Sequence, residues 1–214
     1  MDNYDVGPDK AQWPNNIISR QAVVYANGVI AHRDMRIKHS FDPDELALCK
    51  RLALNSCSIM LRVDVGMGSS SSDPFRNFFI TANIDDHVPK CIDEDFIRLK
   101  FCGTLFPPVT ITVEPLAEKG IWWSEVLHDA GDYKGAARER YLRPWREMIE
   151  WFNAQAELTS PVFVRIGDSE SLFKVQPEEY PEGTVTTGCV LPRLAVGLSS
   201  HGSLIGLFGY SVQA

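Results

Sequence analysis

The chain is expected to fold as an α+β domain. A mainly antiparallel β-sheet, built from a meander and a terminal hairpin, packs against one long helix and one or two short ones. Three observations predict this. Residues 135–158 carry an apolar stripe of helical period, residues 58–114 read as short alternating runs separated by turns, and residues 194–212 hold two uncharged runs about His201-Gly202.

In the long helix, Tyr141, Leu142, Trp145, Met148, Ile149, Phe152 and Ala156 recur every three or four positions and so share one face. Arg143 and Arg146 precede Glu147 and Glu150 by four residues, which predicts two ion pairs on the outer side. Pro144 interrupts the pattern. It removes a backbone donor and crowds the carbonyl four residues back, which predicts a kink or a helix start near Pro144. Thr159-Ser160-Pro161 ends the helix. Trp151 projects to the polar side. It reads either as a ring covered by a neighbouring loop or as an aromatic anchor for a partner.

The strands follow from local pattern. Residues 1–20 are polar and proline-bearing and read as an irregular lead-in to a single domain at 21–214. Asn27-Gly28 between two β-prone runs predicts a hairpin, because both residues tolerate positive φ. Residues 58–65, 75–84, 96–101 and 109–113 read as the four strands of the meander. The terminal runs lack charge, which places them centrally in the sheet with both faces covered. Gly197, Gly206 and Gly209 inside them mark close approaches or bulges.

Between the strands, residues 42–54 begin a helix. Asp42 is placed to cap it, Pro43 suits its first position, and Glu45 three residues on completes a capping box. Leu46, Cys49, Leu52 and Ala53 form its buried stripe. Residues 116–134 read as a loop plus a short helix in which Trp122 and Trp123 point in different directions, so one of them should lie near the surface or a cleft.

Composition narrows the function classes. The net charge is −7, with 12 basic and 15 acidic residues up to Pro115 and 9 and 13 after it. Evenly spread acidity argues against nucleic acid and anionic membrane as partners and is compatible with a basic protein. Five cysteines without a C-x-x-C pair, and a polar start with no apolar leader, point to the cytoplasm and free thiols. No segment is apolar throughout a membrane-spanning length.

No catalytic signature emerges. The glycine-rich stretch 66–74 lacks the lysine and following helix of a phosphate loop and reads as a hairpin loop. His87, in the acidic loop 85–95 with Cys91, has the residue types of a metal site but too few converging ligands. His128 beside Asp129 reads better as a helix-end residue than as part of a metal pair. Cys102, at a strand end, is the best-placed thiol nucleophile, yet needs a histidine base that sequence alone does not bring to it. No metal or cofactor is expected. The reading that remains is a non-enzymatic protein of adaptor, inhibitor or toxin-neutralising type, binding through Trp151, Trp122 and Trp123. The Trp151 face also suits a homodimer. Its rivals are a small hydrolase or transferase with a cleft between the 85–95 loop and the Trp122-Trp123 region, and a small-ligand-binding domain using the same tryptophans.

Overall fold

A computed structural model describes residues 41–56, 59, 75–101, 110–167 and 190–212, together with the backbone of short strands at 17–18, 22–23, 31–32, 71–72 and 185–186. It is an α+β fold with an antiparallel sheet. In chain order the strands are β1 (Ile17–Ile18), β2 (Ala22–Val23), β3 (Ala31–His32), β4 (Ser71–Ser72), β5 (Arg76–Ile80), β6 (Ile111–Pro115), β7 (Thr159–Ile166), β8 (Val185–Thr186), β9 (Val190–Leu198) and β10 (Leu204–Val212). The helices are α1 (Pro43–Asn55), α2 (Glu94–Lys100), α3 (Gly120–Asp129) and α4 (Ala136–Ala154).

The main sheet runs β4/β5–β10–β9–β7–β6, with β4 and β5 sharing one edge of β10. The terminal hairpin, uncharged from Leu194 to Val212 though β9 also holds the buried Arg193, is therefore central, as expected. β10 is flanked on both sides, and β9 lies between β10 and β7. The meander expected over 58–114 is not what forms: of its four strands only β5 and β6 are strands among the described residues, and they do not pair with each other. β6, β7, β9 and β10 are successive neighbours, whereas β5 pairs with β10 and never meets β6. Two small pairs lie outside this sheet. β2 pairs with β3 across the Asn27-Gly28 region, and β1 pairs with β8, which ties part of the expected lead-in to the chain beyond residue 180.

The sheet has two apolar faces. Phe79, Phe163, Ala195, Ile205 and Leu207 face a core shared with α1, α3 and α4. Phe78, Ile80, Val162, Val164, Leu194, Val196, Leu204 and Phe208 face the other way, toward Phe96, Ile97 and Phe101. This is the period-2 alternation of strands covered on both sides.

Residues 94–100 are helical, correcting the strand expected at 96–101. The Asp93 carboxylate accepts the Phe96 N–H at 2.8 Å, Glu94 and Asp95 occupy the first turn, and Arg98 and Lys100 the last. The Glu94–Arg98 pair, four residues apart, closes at 2.6 Å. Caps and dipole outweigh a six-residue alternation that fits either period. Of the strand expected at 58–65, Ile59 is helical and the remainder lies outside the described residues, as do the glycine-rich stretch 66–70 and residues 168–184.

α4 runs unbroken through Pro144. The carbonyl that Pro144 leaves unbonded belongs to Arg140, an exposed residue, where water can accept the role. Leu142, Trp145, Met148 and Phe152 are buried as the stripe requires. Ala156 is exposed because the helix has already ended. Arg143–Glu147 is a loose pair at 3.9 Å, and Arg146 reaches Glu118 and Glu139 rather than Glu150.

Candidate functional site

Trp122, Trp123 and Trp151 are the expected contact residues. Trp122 and Trp123 are both buried, which corrects the expectation that one would face a surface or cleft. Glu114 is the reason that α3 holds them inside. Its two carboxylate oxygens accept the Ile121 and Trp122 N–H groups at 2.7 and 3.1 Å, capping a helix whose own N-cap residue offers nothing. Trp122 then stacks on Phe163 at 4.5 Å and donates its indole N–H to the Pro115 carbonyl at 3.1 Å. The ring is large, and its single polar handle is satisfied within the core. Trp151 is half-buried and packs against the same core, edge-on to Phe152.

The expected cleft has no shared walls. Trp122 and Trp123 belong to one face of the sheet, while Ile92 of the 85–93 loop belongs to the other. His87 and His128 are exposed, and among the described residues neither meets a thiol or a carboxylate. Cys102 lies outside the described residues. Among those residues no group of three or more histidine, cysteine or acidic side chains could hold a metal ion.

The polar constellation that the fold does assemble lies elsewhere, at the turn between β9 and β10. Glu45, expected to close a capping box on Asp42, turns instead into the protein. Asp42 caps α1 alone, accepting the Asp44 and Glu45 N–H groups at 2.9 and 3.0 Å. The Glu45 side chain is only 2 % exposed. Its Oε1 accepts the Ser199 hydroxyl and lies 3.9 Å from Cys49 Sγ. Its Oε2 lies 3.0 Å from His201 Nδ1, off the line of a hydrogen bond, and has no other partner among the described residues.

Serines hold this turn in shape. Ser199 Oγ accepts the His201 and Ser203 N–H groups at 3.3 and 3.0 Å, the Ser199 carbonyl accepts the Gly202 N–H at 3.1 Å, and Ser203 Oγ accepts the Ala82 N–H at 3.0 Å. Gly202 sits at φ +86°, a left-handed conformation that favours glycine, with Pro89 and Val88 against it. The turn is thus bolted to α1 on one side and to the 83–92 loop on the other. The N–H groups of Ser199, His201, Gly202 and Ser203 are engaged within the turn, and the Ser200 hydroxyl approaches the same His201 nitrogen that faces Glu45.

Cys49 lies behind Glu45, fully buried. Burial pushes its thiol from 9.0 up to about 11; the Ser203 and Thr81 hydroxyls pull against this, and the Glu45 carboxylate adds to it. A thiol so placed is protonated and inert at neutral pH. The sign of the linkage is definite. Above the ordinary thiol value of 9.0 the unfolded chain releases a proton that the folded chain keeps until about 11, so stability falls across that window. Two pH units correspond to about 2–3 kcal/mol. Urea unfolding of the native chain and of Cys49→Ala, compared from pH 8.5 to 11, should show the native chain losing that much more stability. Equal slopes would remove the buried thiol from the account. Cys91 is exposed and should alkylate freely in the folded protein while Cys49 does not.

No protein-family model matches the chain, and no curated protein sequence matches it significantly.

The one sequence signal that could have found Glu45 is its spacing. Glu45 precedes Cys49 by four and Leu52 by seven, so the helical period puts a carboxylate on the buried stripe. Its partners, 154 residues away at the terminal hairpin, left no local signal.

Proposed function

We propose that this protein works by binding another protein, as an adaptor, inhibitor or toxin-neutralising factor in the cytoplasm, and that the partner is basic. The observation that carries this reading is that three of the six large apolar side chains exposed among the described residues lie on one loop-and-helix stretch, 83–100. Ile84, Val88 and Leu99 are 61 %, 44 % and 67 % exposed. Leaving such side chains solvated forgoes about 1.5–3 kcal/mol of burial each, which a partner would recover.

The unit is held rigid enough to serve as a surface. Asn83 and Asp86 close a turn through the Asp86 N–H to the Asn83 carbonyl at 3.0 Å and the Asn83 N–H to the Asp86 carboxylate at 3.1 Å. Lys100, next to Leu99, reaches the same carboxylate at 3.1 Å and ties α2 to the loop. Partial burial alone would raise Asp86, but the bonds from Lys100 and Asn83 outweigh it and hold its carboxyl below the ordinary range. Between residues 83 and 100 five acidic residues stand against Lys90, Arg98 and Lys100, so the unit is mildly negative, with Asp86 and Glu94 already paired. That favours a basic partner through steering and specificity more than through raw affinity. No helix among the described residues is long and apolar enough to cross a membrane.

The test is reconstitution with a partner captured from the host and then purified. The Leu99→Asp variant should weaken binding at least tenfold while leaving the unfolding transition within about 0.5 kcal/mol of the native value, as expected for an exposed position. Trp151→Ala, at a half-buried position, reports the alternative surface on α4. Undiminished affinity in Leu99→Asp would move the interface off this unit. A concentration-dependent homodimer with no second protein would replace the hetero-partner reading.

A further inference from the structure

We infer that the buried carboxylate of Glu45, together with the turn that carries His201, forms a socket for a cationic side chain, an arginine or lysine presented by the basic partner. The inference rests on the protein-binding reading above and names its point of charge recognition. A carboxylate that is only 2 % exposed is costly unless a cation or several donors meet it. Oε1 has the Ser199 hydroxyl. Oε2 has only an imidazole, 3.0 Å away and misaligned for a hydrogen bond. One oxygen of a buried anion is therefore under-satisfied, and the group seen against it is a ring that is itself 66 % exposed.

The ring can leave without disturbing the socket. The turn is held by Ser199 and Ser203, through backbone N–H bonds that do not involve the imidazole. Ser200 Oγ, 3.3 Å from His201 Nδ1, supplies a further acceptor beside the opening. The loop on the other side of the turn brings Val88 and Pro89 against Gly202 and bears Asp85 and Asp86, the latter paired with Lys100. An aliphatic stem laid along Val88 with its charged head at Glu45 is the manner in which arginine and lysine use mixed surfaces. The planar guanidinium, with several donors in a fixed fork, matches a carboxylate best.

The probe is methylguanidinium, titrated into the full chain at constant ionic strength while the backbone amide signals of residues 199–203 are followed by NMR. A saturable shift is expected in the native protein. In Glu45→Gln, which keeps the shape and removes the charge, it should vanish. In His201→Ala, which removes the ring against Oε2, it should persist at equal or lower probe concentration. The socket is overturned by a native chain that gives no saturable shift, by a shift that survives in Glu45→Gln, or by one that disappears in His201→Ala. Should Glu45→Gln fail to fold, the His201→Ala titration decides alone, because a histidine site would lose the probe and a carboxylate site would keep it. The probe requires no partner, so a negative titration beside intact partner binding removes the socket only. A positive titration in a chain that binds no protein removes the partner reading instead.

Discussion

Trp122→Ala is expected to lower the unfolding free energy by about 3–5 kcal/mol, the range for deleting a large buried aromatic ring. The ring is fully buried and sits among Trp123, Trp145 and Phe163 at centroid distances of 5.4, 6.3 and 4.5 Å. Its neighbours are held by a central-sheet strand and by α4, so the void cannot collapse without moving whole elements. Trp122→Phe separates the contributions. It retains much of the stack and loses the indole bond to the Pro115 carbonyl, about 1 kcal/mol for a bond of this kind. Denaturant unfolding of the native chain and the two variants measures both. A loss below about 1 kcal/mol for the alanine variant would mean that the aromatic cluster is not the packing centre described above.

Gly206→Ala is the second large effect, and it acts by overfilling. Gly206 pairs with Val196 on one side and Phe78 on the other in the middle of β10. A Cβ there would overlap the Ala195 carbonyl oxygen and fall 2.8 Å from the Val196 Cα. Those obstacles are backbone atoms of the adjacent central strand, so no rotamer change relieves them. The expected loss is about 3 kcal/mol or more, with disrupted pairing of β9 and β10. Gly197→Ala is the control. Its Cβ would meet the Leu158 side chain at 3.1 Å, which can shift, so a smaller loss of about 1 kcal/mol is expected. The ordering of the two variants in thermal or urea unfolding is the measurement. Equal losses would show that glycine's conformational freedom, rather than the close approach of β9, decides both positions.

How much of this was legible beforehand depends on the distance over which each feature is decided. The start of α1 was readable because Asp42 and Pro43 act within one helical turn. The buried stripe of α4 and the central position of the terminal hairpin were readable because period and absence of charge report burial directly. The α2 segment was misread although its signals were present. Asp93, Glu94 and Asp95 before the apolar residues and Lys100 at the end outrank the alternation of residues 96–101. The two tryptophans were misplaced for a different reason. Two adjacent side chains diverge on any single element, but α3 lies where core surrounds both, and its docking is fixed by Glu114 on a neighbouring strand.

The candidate site was the least legible part. Its components are ordinary in isolation: a glutamate in a first helical turn, serines in a turn, an exposed histidine. Only contact between α1 and the β9–β10 turn makes them a buried anion with an under-satisfied oxygen.

The sequence by itself determined the α+β class, the helix beginning at Pro43, the buried face of α4 and the centrality of the terminal hairpin, since periodicity, capping and charge act over a few residues. The tertiary structure alone decided that β5 pairs with β10 rather than with β6, that Trp122 and Trp123 are both interior, and that Glu45 faces His201. Those outcomes depend on which distant surfaces exclude water together, and the energy of that choice resides in neither segment until both are in place.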